Sequence, residues 1–197
     1  MIQDVDDTLR ELLVQKAPID TALIDIKFEM PNREWSDAVT KPTINLYLYD
    51  VRENHELRSS QRTLTRTDSG AVERRAAVRM DLTYMITVWT TDVADEHRLL
   101  GRVLATLLQF PSLPPEVLKG AMQTQPAPVQ AWIAQPERMP NPWEFWGHLD
   151  HGMKAGLNLV LTAAFEPHPP AEVQLATETV IRLRASVPEN HSLSRGT

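Results

Sequence analysis

His148, Asp150 and His151 come nearest to a reaction centre in this sequence. Two histidines three apart on a helix can face one metal ion. The glutamate that would act as base beside such a pair is missing, and no third ligand stands at a useful spacing. Surface or capping histidines are the simpler reading, and His97, near a helix start, reads as exposed. A hydrolase built on these residues would lose turnover on His151→Ala, but nothing in the spacing supports one. Asp4, Asp6 and Asp7 form a carboxylate run. Helical spacing turns the three in different directions, so they suit the positive end of a helix dipole. The serines lie outside any Gly-x-Ser-x-Gly elbow. Both common phosphate-binding glycine loops are absent. Trp143 and Trp146 could form a ligand platform, although an aromatic pair after a proline loop is more commonly core. No catalytic, cofactor or metal residue is therefore assigned. A non-enzymatic adaptor, binding a peptide or small ligand through the Trp132–Trp146 region, stands as the alternative function.

Composition narrows the classes further. The chain of 197 residues has no cysteine, which excludes disulfides and thiolate metal sites. Its net charge of −6 argues against nucleic acid as a partner. No apolar run approaches the ~20 residues of a membrane span, and the acidic start Met1–Asp7 is unlike a signal peptide. Fifteen prolines against seven glycines imply stiff connections.

The elements that would position any site follow from periodicity. In Arg79–Thr91, Met80, Leu82, Tyr84, Ile86 and Val88 alternate with polar residues, which is a strand with one apolar face. Asp92 then caps a helix over 92–110, with Leu99, Leu100, Val103, Leu104, Leu107 and Leu108 at helical spacing. Pro111 stops it. Ile2, Val5, Leu9, Leu12 and Leu13 mark an N-terminal helix ended by Pro18. Ile24–Met30 and Thr43–Val51 read as strands, with a helical turn at Pro115–Gly120 and a short strand around Val129–Ala134. Pro142, behind an Asn141 cap, opens a short helix through His151. Leu157–Phe165 and Glu172–Arg184 are later strands, and Val187–Thr197 is a polar tail. The fold class is α+β: a mixed or antiparallel sheet of about five to six strands, packed by the N-terminal and central helices. The organisation is one domain over 1–170, an added strand over 171–185 and a flexible tail over 186–197.

Between Arg52 and Arg79 lie seven arginines and four acids, a local +3 in an acidic chain. This segment, with a turn signal at Asp68–Gly70, is a long arginine-rich loop or hairpin. Arg52, Arg58, Arg62, Arg66, Arg74 and Arg75 are its candidate contact residues. Arginine forks can grip carboxylates of an acidic neighbouring subunit. Nucleic acid is disfavoured because no aromatics are interleaved with them.

Two segments together carry a family resemblance. One is Ile44-Asn-Leu-Tyr-Leu-Tyr-Asp-Val-Arg-Glu-Asn54, with Leu57-Arg58 just after it. The other is Arg79-Met-Asp-Leu-Thr-Tyr-Met-Ile-Thr-Val-Trp89, followed by Glu96-His-Arg-Leu-Leu-Gly101. The Ile2–Leu9 helix and the Gly152–Thr162 strand fall in the matching order. Over about Met1 to Pro167 the chain resembles the tail-terminator, or cap, proteins of extracellular contractile injection systems. These are phage-tail-like particles that include the Photorhabdus virulence cassettes and antifeeding prophages. The resemblance implies a homo-oligomeric, hexameric ring closing the end of an inner tube and contractile sheath. It implies sheath and inner-tube subunits as partners; on charge and the lack of an apolar run, neither nucleic acid nor membrane is expected. It implies no cofactor and no turnover, with assembly in the cytoplasm and a particle that stays there or is released.

Overall fold

The computed structural model describes residues 1–67, 70–136, 141–149 and 152–173. Helix α1 spans Ile2–Lys16 and buries Val5, Thr8, Leu9, Leu12 and Leu13, one stripe at three- and four-residue spacing. Ile2 is exposed, so the stripe begins one turn later than its periodicity suggests. The Ala17 N–H still donates to the Leu13 carbonyl. Pro18 has no N–H to continue the ladder. Strand β1 covers only Asp25–Lys27, shorter than the expected Ile24–Met30. The Asn45 side-chain amide explains the truncation. It accepts from the Glu29 N–H at 3.0 Å and donates to the Glu29 carbonyl at 2.8 Å, replacing strand pairing there. Met30 is left exposed.

Strands β2 (Thr43–Glu53), β5 (Val78–Trp89), β6 (Gln130–Ile133) and β7 (Gly156–Phe165) join β1 in one sheet, ordered β1-β2-β5-β7-β6. Strand β1 runs parallel to β2, and the other pairings are antiparallel. The strand over 79–91 is thus central. Its apolar phase holds, for Leu82, Tyr84, Ile86 and Val88 are buried beside Ile44, Leu46, Leu157, Leu159 and Leu161. Helix α1 and helix α3 (Val93–Gln109) contribute to the same core. Asp92 caps α3, its Oδ1 accepting from the Asp95 N–H at 3.1 Å. Leu99, Val103 and Leu107 are buried on α3, while Leu108 faces solvent.

After α3 the chain makes two 3₁₀ turns, Pro115–Val117 and Gly120–Thr124, that lie against α1. The Lys119 N–H donates to Thr8 Oγ1 at 3.0 Å. Gly120 has φ of +50°, and a Cβ there would meet Asp4 Oδ1 at 2.3 Å. Glycine is required on both counts. The aspartate run of α1 serves packing more than its dipole. The Asp4 carboxylate accepts the Ala121 N–H, and Asp6 accepts the Tyr84 hydroxyl at 2.8 Å.

From Thr83 onward the polar phase of β5 does not face water. Thr83, Met85, Thr87 and Trp89 are buried on the opposite side of the sheet. Helices α2 (Arg33–Asp37) and α4 (Pro142–His148) supply aromatic residues to a second cluster. There Trp89, Trp146 and Leu149 are buried with Trp35, Tyr47 and Phe145 packed around them. Trp35 meets Trp89 edge-to-face at 5.4 Å. Trp146 is therefore core rather than a ligand platform. Lys154 lies 4.8 Å from the centre of the Trp89 ring and pairs with Glu96 of α3.

The arginine-rich segment forms a second sheet. Strands β3 (Arg62–Thr67) and β4 (Gly70–Arg75) are a hairpin, and β8 (Ala171–Val173) pairs with β4. Residues 68 and 69 of the expected turn lie outside the described residues, as do residues 174–197, which hold most of the expected last strand and the whole tail.

Burial holds the Asp6 carboxyl above the usual carboxylate range, and the nearby Asp7 charge adds to this, against the lowering effect of the Tyr84 bond. The folded state therefore holds this proton more tightly than the unfolded one. The resulting stability is lost as pH rises through the folded-state value. Asp6→Asn, which keeps an acceptor for Tyr84, raises the melting temperature at pH 7, and that advantage shrinks by pH 4. Thermal unfolding at the two pH values checks this; an advantage that grows on acidification contradicts it.

Candidate interaction surface

The β3–β4 hairpin collects the arginines. Cross-strand partners share a face. One face thus carries Arg62 and Arg75, then Leu64 and Glu73, then Arg66 and Ala71. The other carries Thr63 beside Arg74 and Thr65 beside Val72. All six residues of β3 are exposed, with Leu64 at 59%. Among the described residues β3 pairs only with β4, which leaves its outer edge open there. The outward-facing backbone N–H and C=O groups of alternate β3 residues can accept an incoming strand. Charged side chains along such an edge also discourage uncontrolled pairing.

The six candidate arginines divide into two groups. Arg52 pairs with Asp50 at 2.7 Å. Arg58 makes a two-pronged contact with Glu53, Nε to Oε1 and Nη2 to Oε2, each at 2.7 Å. That fork lowers the Glu53 carboxyl below its ordinary range and raises Arg58. Arg62 reaches Glu73 at 2.8 Å. Arg66, Arg74 and Arg75 are exposed and have no ion-pair partner among the described residues. The structure thus brings Arg62, Arg66, Arg74 and Arg75 onto one projecting hairpin. Arg52 and Arg58 belong to its base.

The base is fastened by groups whose role periodicity does not reveal. Asn54 Nδ2 donates to both Asp81 oxygens, at 3.1 and 3.2 Å, and Thr162 Oγ1 donates to Asp81 Oδ1 at 2.6 Å. The Asn54 N–H bonds the Arg79 carbonyl at 2.8 Å, and its Oδ1 accepts from the Leu57 N–H. A polar pair inside a strand, Arg79 and Asp81, is the sequence signal that could have marked this junction.

Among the described residues, no group of three or more His, Cys, Asp or Glu side chains could hold a metal ion. His148 is exposed at the end of α4 and His97 is exposed on α3. Asp150 and His151 lie outside the described residues, as does the Trp143 side chain. No helix among the described residues is long and apolar enough to cross a membrane.

A two-faced five-stranded sheet with a second, basic three-stranded sheet defines an α+β domain whose exposed edge strand is a candidate interaction surface. The model of the Pvc16 N-terminal domain matches residues 4–177, and the chain belongs to that family. Two solved structures share its fold. The sheath/tube terminator of PVC in its extended state, from an extracellular contractile injection system, superposes with a TM-score of 0.71 at 20% identity, over 96% of this chain and 66% of that one. The tube-terminating cap of the anti-feeding prophage gives 0.69 at 18% identity, over 93% of this chain and 62% of that one. This chain therefore spans just under two thirds of the length of either structure. No curated protein matches it.

Because β3 is exposed throughout, its side chains contribute little to folding. Leu64→Ser and Arg66→Ser are each expected to change the unfolding free energy by less than ~0.5 kcal/mol. Trp146→Ala in the second cluster is expected to cost about 3–5 kcal/mol. Denaturant titrations of the three variants check the contrast; a large loss at Leu64 or Arg66 would make the hairpin part of the core.

Proposed function

We propose that this chain is a structural subunit of a ring that ends the inner tube and contractile sheath of a phage-tail-like injection particle. The observation that carries the reading is the family match over residues 4–177. The same fold in a PVC sheath/tube terminator and in an AFP cap adds to it. In this reading six copies form the ring, and tube and sheath subunits are its partners. The chain works by shape and contact, with no turnover and no cofactor. Assembly takes place in the cytoplasm.

Physical features suit the role. A ring uses heterologous contacts, in which one patch of a subunit meets a different patch of the next. The hairpin supplies one such patch: Arg66 and Arg75 on one face, beside Arg62 with its Glu73 partner, and Arg74 on the other are available to carboxylates of its neighbours. Outside the Arg52–Arg79 segment, the chain's net charge is the total of −6 less the local +3, or −9, so a second copy is a complementary target. The open edge of β3 also suits strand addition by an extended arm of a sheath subunit.

Replacing Arg62, Arg66, Arg74 and Arg75 together by glutamate is expected to leave a folded chain with an unchanged melting temperature. That chain fails to enter rings or to cap sheathed tubes. Solution mass, alone and mixed with tube and sheath subunits, reads the outcome. Ring formation and capping at parental levels would remove the hairpin from the interface.

A further inference from the structure

The second face of the main sheet is covered unevenly. At one end α2 and α4 close it with aromatic side chains. At the other, near the foot of the hairpin, a groove of about 490 Å³ remains open. Its lining includes Arg79, Thr162, Gln130 and Trp132 from three neighbouring strands, with Glu56 and Leu57 from the turn after β2. Gln130 is paired in register with Thr162, and Thr162 with Asp81, so these side chains share the face that carries Arg79.

Two observations mark the groove as more than uncovered surface. Arg79 Nε is buried and has no hydrogen-bond partner among the described residues. A buried donor without an acceptor costs stability unless something meets it. Asp81, the carboxylate two residues along, is already engaged by Asn54 and Thr162. The second observation is the apolar pair beside it: Trp132 is 42% exposed and Leu57 48%. A guanidinium beside an aromatic and an aliphatic surface matches a carboxylate followed by an apolar side chain. Glu56 on the rim and Asp81 beneath limit an occupant to the single carboxylate that meets Arg79, and so oppose a chain of phosphates or a run of acids.

We infer that this groove seats an extended segment of a partner protein, with one carboxylate on the Arg79 guanidinium and an adjacent apolar side chain against Trp132 and Leu57. The exposed Gln130 amide is available to the segment's backbone. The contact is separate from the hairpin arginines and holds whether or not the chain caps a tube.

The probe is a displayed library of random short peptides, selected on the full chain. Enriched peptides are then measured by tryptophan fluorescence. The expected winners carry Asp or Glu next to an aromatic residue or leucine. Their affinity falls about tenfold or more on Arg79→Gln, as for loss of a charge-assisted bond. It falls also on Trp132→Ala, weakens with salt, and is unaffected by Arg74→Glu. Melting temperatures matching the parent confirm that both groove variants fold. No enrichment, winners without an acid, or winners indifferent to Arg79→Gln would overturn the inference. Failure of capping with groove binding intact would count against the ring reading alone.

Discussion

Strand β5 has almost no solvent face. From Leu82 to Trp89 every residue is buried, with helices over one side and aromatic side chains over the other. A strand in that position must satisfy two packing problems at once. Its even-numbered residues meet α1 and α3 as a continuous apolar layer. Its odd-numbered residues mix threonine with methionine and tryptophan, so polar groups are buried and need partners. Trp89 donates its indole N–H to Thr87 Oγ1 at 2.9 Å. In the flanking strands, Asn45 clamps the Glu29 backbone, and Asn158 accepts the Tyr49 hydroxyl at 2.6 Å. Burial, with Asp50 adding to it, pushes that tyrosine up to about 12, so it stays a donor. A one-residue slip of β5 would exchange the two layers, turning its threonines toward the apolar core and its leucine, isoleucine and valine away from it.

The same constraint explains why the candidate interaction surface lies away from the centre of the sheet. The centre of the sheet is closed on both sides, leaving its rim and ends for partners. Its outer strands are short: β1 has three residues and β6 four. Each is also partly covered, β1 by Arg10 bonding the Ile26 carbonyl and β6 by the Ala131 N–H bonding Pro111. The long open edge is on the projecting hairpin instead, where β3 runs six residues in solvent. A rigid centre carrying an exposed, basic edge suits a component that must hold shape while its neighbours come and go.

The core was legible because its signals are local. The period-two alternation around Tyr84 and the helical spacing around Val103 each fix one buried face without reference to anything distant. The arginine-rich segment was legible as charge and as a loop or hairpin with a turn signal, but not in its register, since Arg62 and Arg75 become neighbours through pairing that no short window contains. The second packed face was missed for a related reason. Thr83 and Thr87 read only as the polar phase of a strand with one apolar face, because Trp35 and Trp146, which pack on their side of the sheet, lie far away in the chain. Asp6 was read as a dipole residue because its acceptor role depends on Tyr84, 78 positions away. Family resemblance in the strand segments carried the functional expectation further than any site chemistry could, and the matched domain over 4–177 establishes the family.

The most direct test of the central claim is electron microscopy of tubes and sheaths assembled from the particle's own subunits, with and without this chain. The account predicts a ring of density closing one end of each tube, and a narrow length distribution when the chain is present. Without it, ends should be open and lengths broad. Tubes with identical ends and identical lengths in both samples would contradict the account, however well the fold matches.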